Sequence, residues 1–317
     1  MSSALGPTLA GIVPILLLIG LGVLLRHLGV LDGGTAEGLK RLVVNVVLPA
    51  VLFLAFLGLE FQPEYLTLVV MVPLLCLVLL GVGRLARRWL KAPPVATFLF
   101  TGFEFGMVGL ALFTAAYGME FTPVAAIVGL GHEFFIWFVF VTLLRRQSDG
   151  GVGLGQTLRS FITSPVIIAI LAGLLLNAVG AREALESNVL SAALLTTATY
   201  LAAIIVPVIL ILVGHGSRLS ADGVRTAAPF VAARFVVCLA LAVLVSWGIV
   251  GQWLGLGPAV QAAVFMLLIL PPPFIVPIFL PAHRADEVAY SNNVLSLYTL
   301  VSVAAFVTYV AVVPSLS

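Results

Sequence analysis

Long apolar runs separated by short polar clusters organise this chain. A helix that crosses a bilayer needs about 20 mostly apolar residues at roughly 1.5 Å of rise each. Runs of that kind fall at Leu5–Leu28, Leu42–Leu59, Tyr65–Val82, Pro94–Tyr117 and Phe121–Leu144. Five more follow at Thr163–Val179, Asn188–Val213, Thr226–Val250, Pro258–Leu280 and Val288–Val313. They outrun the core helices of soluble domains and lack the strict alternation of a transmembrane β-barrel. The pattern predicts an all-α membrane protein with ten transmembrane helices.

Composition points the same way. Of 317 residues, 62% are hydrophobic and 9% charged, with a mean hydropathy of +1.23. A soluble domain is roughly 45–50% apolar and about 25% charged, so the expected surroundings are a lipid bilayer. A net charge of +2 is too small for a nucleic-acid-binding protein. Cys76 and Cys238 lie inside apolar runs and read as small buried hydrophobes, with neither a disulfide framework nor a metal site expected. The opening MSSALGPTLAGIVP lacks a basic stretch before its apolar run, so no cleaved signal peptide is expected.

Basic residues sort by side. Arg26, Lys40, Arg41, Arg84, Arg87, Arg88, Lys91, Arg145, Arg146, Arg159, Arg218, Arg225 and Arg284 fall in or beside one set of loops. The opposite loops hold Arg182, and Arg234 lies inside span eight. Lys and Arg collect on the cytoplasmic side of membrane proteins. Both termini are therefore expected outside the cytoplasm.

A faint repeat runs through the chain. Residues 19–30 (IGLGVLLRHLGV) read like 169–180 (AILAGLLLNAVG), and Leu42–Gly58 parallels Tyr200–Gly216, with Pro49 matching Pro207. Five spans per half is an odd number, so the second half enters the membrane inverted. The expected organisation is a first repeat over 1–146, a cytoplasmic linker over 147–162 and a second repeat over 163–317. Within the linker, Gln147–Gly155 is polar and glycine-rich. Inverted repeats recur in secondary transporters; chance likeness of two apolar segments is the competing explanation.

Two spans cannot be plain helices. Span nine carries Pro271, Pro272 and Pro273, then Pro277 and Pro281. A proline inside a helix removes a donor and clashes with the preceding turn, costing about 3 kcal/mol. Backbone freed at mid-membrane depth must be buried in protein or line a cavity. Span four, at the equivalent place in the first half, holds Gly102, Gly106 and Gly109, which permit unwinding or merely close helix approach. Interrupted spans at matching positions are the sequence pointer to a transporter's binding site.

Acids accompany these breaks. Glu104 lies in the glycine-rich stretch, and Glu133 lies midway along span five. A carboxyl at such depth is expensive, by at least ~2.5–3.5 kcal/mol, and is a functional candidate by default. Each must carry a proton or face a cation or hydrogen-bond donor, in a functional site or in simple packing. His132 points about 100° away from Glu133 on a helix and reads equally as a core histidine. Arg234 either snorkels or opposes one of the acids. Asn45, a turn before Pro49, and the pair Asn292 and Asn293, at the start of span ten, either line a pathway or bond between helices.

Enzyme signatures fail. After His132-Glu133, the fourth position from the histidine is Ile136, so a zinc-protease pair is incomplete. The glycines of 151–155 follow no strand, and no P-loop is present.

The chain resembles the auxin efflux carrier family in its short bacterial form. The resemblance covers nearly the whole length and is most specific in 164–169 (SPVIIA) with Gly173, and in 207–214 (PVILILVG) with Ser217 and Leu219. Asn45 and Pro49 resemble the family's span-two pattern. The resemblance implies two inverted five-helix repeats, with broken helices four and nine crossing at the substrate site. It also implies a scaffold of helices 1, 2, 6 and 7, a transport domain of the others, a homodimer, and elevator-type movement in the bacterial inner membrane. Two positions depart from the family: Glu104 falls where an asparagine is common, and Glu133 where plant relatives carry glutamine. The expected function is therefore secondary transport of a small organic anion, with no cofactor and with H⁺ or Na⁺ as candidate coupling ion at those carboxyls. An uncoupled facilitator and a transporter-like receptor are the alternatives.

Overall fold

A computed structural model describes residues 2–60, 62–144, 155, 159, 162–217, 220–313, 315 and 316, with the side chains of all but 2–12 and 282 among them. Most of the expected linker over 147–162 lies outside the described residues, as do Arg145, Arg146, Arg218 and Leu219.

The described chain is helical, and no strand occurs among the described residues. Six helices are long and apolar enough to cross a membrane: Gly33–Leu57, Tyr65–Trp89, Met119–Leu144, Val189–Gly216, Ala221–Trp253 and Ala285–Val312. Four shorter apolar helices, Val13–His27, Phe105–Tyr117, Pro165–Ala178 and Pro258–Ile269, fall on the remaining predicted positions. Bulky apolar side chains stand outward along these helices, including Val189, Leu194, Tyr200, Val236 and Trp247. Such faces suit lipid rather than water.

The chain divides into two compact units. One comprises Met1–Gln62, Gly106–Ala126 and Leu158–His215; the other comprises Pro63–Phe105, Ile127–Thr157 and Gly216–Ser317.

Glycine contacts hold the first unit together. A Cβ on Gly22 would stand 2.0 Å from the Ile211 carbonyl oxygen, and one on Gly173 would stand 2.7 Å from the Phe53 carbonyl oxygen. Helix backbones therefore touch directly, as small residues allow in membrane packing. Beside each contact, a polar side chain covers a helix end. Arg26 Nη1 donates to the His215 carbonyl at 2.8 Å. Asn177 Nδ2 donates to the carbonyls of Phe56, Leu57 and Leu59 at 2.9, 3.1 and 2.8 Å. These contacts are paired in number. Gly173 and Asn177 stand 151 residues after Gly22 and Arg26, and Phe53 and Leu57 stand 158 before Ile211 and His215. The matching register is one residue away from the alignment that pairs 19–30 with 169–180.

Pro49 and Pro207 of this unit act alike. Pro49 lacks the N–H that would bond the Asn45 carbonyl, and the turn before it widens into a π-helix over Val43–Val47. Pro207 has the same deficit toward Ala203, and the helix is interrupted at Ile204, between Val189–Ala203 and Ile205–Gly216.

The second unit contains both broken stretches at 100–104 and 270–275, together with the long helices Tyr65–Trp89, Ala221–Val243 and Ala285–Val312.

Candidate solute site where two broken helices meet

Span four begins as the short helix Ala96–Leu99, loses its winding over 100–104, and resumes through a π-turn, Phe105–Gly109, into Leu110–Tyr117. Its first turn is anchored from span ten, where Glu287 accepts the Val95 N–H at 2.9 Å and is itself bound by Arg284 Nε at 2.7 Å. Span nine runs as Pro258–Ile269, opens at 270–275, and resumes as a 3₁₀ turn, Val276–Phe279. Three consecutive prolines supply no donors, so the helix cannot continue.

The two openings touch. The Glu104 N–H donates to the Pro271 carbonyl at 2.8 Å, and the Phe274 N–H donates to Glu104 Oε2 at 2.7 Å. Gly102 adopts φ +70°, a left-handed conformation natural to glycine. A Cβ there would stand 2.8 Å from Pro273 Cγ.

Buried backbone must be satisfied, and here side chains from three other spans do it. Arg234, 0% exposed, donates through Nε to the Phe100 carbonyl at 3.3 Å, through Nη1 to Leu270 at 3.0 Å and through Nη2 to Gly102 at 2.9 Å. Phe100 and Leu270 are the residues that end the two half-helices, so one guanidinium covers both carbonyl ends, where the helix dipole favours a cation. Its guanidinium carbon lies over the Tyr298 ring, 4.3 Å from the ring centre. Ser302 donates to the Ile269 carbonyl, and Thr101 donates to the Cys76 carbonyl at 2.6 Å.

His132, 1% exposed, accepts the Phe103 N–H on Nε2 at 2.9 Å. Its ring proton therefore resides on Nδ1, which lies 3.8 Å from Glu133 Oε1. Glu133 Oε2 takes the Trp137 indole N–H at 3.2 Å. His132 and Glu133 thus belong to one chain of contacts reaching the span-four break.

The remaining sequence candidates lie elsewhere. Gly106 belongs to the first unit, where its Cβ position faces Leu48 Cδ2 at 3.2 Å; Gly109 ends the same π-turn. Asn45 is exposed and donates to the Arg41 carbonyl at 2.8 Å. Asn292 is exposed, while Asn293 packs its amide oxygen against Gly223. Pro272 is buried within the opening, and Pro277 sits in the 3₁₀ turn beyond it. Among the described residues no group of three His, Cys, Asp or Glu comes together to hold a metal ion. A separate cavity of about 440 Å³ opens in the first unit beside Leu54, Gly58, Arg182 and Thr196.

Sequence reasoning placed Arg234 as a snorkelling residue or a partner of an acid. Full burial and three carbonyl partners give it another task. The available signal was a lone cation opposite two helices whose ends would need capping. The Phe274 N–H carried no signal beyond following the prolines.

Set against known proteins, the chain matches no family model and no curated protein sequence.

Proposed function

We propose that this protein is a secondary transporter of small organic anions, coupled to protons and working by elevator-type alternating access. The observation that carries this reading is the joined pair of openings, with the Glu104 carboxyl seated on the Phe274 N–H and Arg234 binding both half-helix ends. Unwound backbone of this kind, away from lipid, is how transporters build a solute site at mid-membrane depth. Ten transmembrane helices in two inverted five-helix repeats complete the reading, supported by the four shorter apolar helices and by the numerically paired contacts of the first unit. The two-unit division supports a scaffold and a moving body. A homodimer in a bacterial inner membrane, with both termini outside the cytoplasm, rests on the resemblance and the charge pattern.

Uptake of labelled carboxylates into proteoliposomes tests it. Wild-type uptake should follow an imposed pH gradient, and Glu104→Gln should remove that dependence. Gradient-driven uptake that survives in Glu104→Gln excludes coupling at this carboxyl. Uptake that instead requires Na⁺ over choline at fixed pH makes Na⁺ the coupling ion.

A further inference from the structure

From the charges placed at the two openings, we infer that solute movement is electroneutral for a monoanion, because Arg234 is a permanent countercharge that Glu104 and the solute must share. The inference rests on the transporter reading and adds its stoichiometry and the substrate class it favours.

An arginine keeps its charge in proteins, and this one has no exposed surface. Its guanidinium is fixed by three carbonyls, so it cannot leave when a solute arrives. Two residues along from Gly102, which it holds, stands Glu104, 9% exposed and accepting the Phe274 N–H. With Glu104 ionised, this pair sums to zero. A monoanion brings one negative charge, and leaving a net charge buried away from water is expensive. A proton taken up by the Glu104 carboxyl with the solute restores zero, and its release with the solute on the far side restores it again. The balance per cycle is one proton and one monoanion in the same direction, with no net charge moved.

Other titratable groups near this pair are Cys76 from span three, His132 and Glu133 from span five, Cys238 from span eight and Tyr298 from span ten. The stretches 95–103 and 269–276 contribute none. Glu133 keeps a side-chain exposure of 20% and is engaged by Trp137 and His132. The proposed cycle leaves its charge unchanged.

The test uses the full chain in proteoliposomes, with lactate and gluconate as monoanion probes and malonate and malate as dianions. Flux is read by label and charge movement by current. Wild-type protein should move monoanions without current and with no response to a valinomycin-clamped potential, whereas dianions should carry one net negative charge each. Glu104→Gln should move monoanions without a pH response, now with one charge per solute. Current with a wild-type monoanion, or dianion flux without current, overturns the stoichiometry while leaving transport standing. A pH-driven, silent monoanion flux in Glu104→Gln also overturns it and assigns the proton elsewhere. Absence of flux for all four probes overturns the transporter reading, and this inference with it.

Discussion

Arg234 donates to the Gly102 carbonyl at 2.9 Å from a helix more than a hundred residues away in sequence, and through its other nitrogens it holds the ends of both half-helices. Removing the guanidinium strands three buried carbonyls, each worth about 1–3 kcal/mol when left unsatisfied. Arg234→Met should therefore destabilise the protein by about 3 kcal/mol or more, read as a lower unfolding temperature in detergent. Arg234→Lys should recover only part, since an ammonium lacks the planar fork that reaches carbonyls on two separate segments.

Gly102 should resist substitution for a different reason. Its φ of +70° costs an L-residue about 1–2 kcal/mol, and a new methyl group would press on the rigid ring of Pro273. Gly102→Ala should lower thermal stability by about 2 kcal/mol and reduce solute flux. Gly81→Ala, where nothing stands within 4 Å of the added carbon, should change neither.

The first unit offers a symmetric test. A Cβ on Gly214 would fall 2.0 Å from the Ile19 carbonyl oxygen, whereas one on Gly20 would meet nothing within 4 Å. Gly214→Ala should push the helices apart and lower yield and unfolding temperature, while Gly20→Ala on the partnering helix should be silent. Gly173→Ala should resemble Gly214→Ala, because its added carbon meets the Phe53 carbonyl at 2.7 Å.

Much of this architecture was legible in the sequence. Apolar run length located the helices, and Pro271, Pro272 and Pro273 marked the opening because proline chemistry acts locally. Glu104 was legible as an isolated acid in an apolar run. Its partner was not: the Phe274 N–H is a backbone group, and only the fold brings it to residue 104. Arg234 shows the same limit, since its three carbonyl partners lie at residues 100, 102 and 270. The glycines of span four carried a mixed message. Gly102 has a conformation and a neighbour that require it, whereas Gly106 belongs to the first unit and faces the Leu48 side chain of that same unit. Asn45 illustrates how a polar residue inside an apolar run finds a local answer, bonding its own helix at Arg41.

Outside the membrane-spanning segments, Asp32 starts the helix Gly33–Leu42 by accepting the Thr35 N–H at 2.7 Å. That bond holds its carboxyl below the usual 3.8. A depressed folded value means the stabilisation is fully present above the unfolded value and fades as pH falls through the folded one. Asp32→Ala should therefore lower the unfolding temperature at neutral pH, and the difference from wild type should shrink below about pH 4. Asp32→Asn, which keeps an acceptor at the helix start, should retain most of the wild-type value at neutral pH and show a weaker acid dependence.

A solute is proposed to be held where the two openings join. Counterflow tests this directly: proteoliposomes loaded with an unlabelled carboxylate are placed in a trace of the labelled compound. The wild-type protein should accumulate label transiently above equilibrium, and Gly102→Ala should do so more slowly at equal reconstituted amounts. Label entering no faster than into protein-free liposomes, for every mono- and dicarboxylate tried, would contradict it.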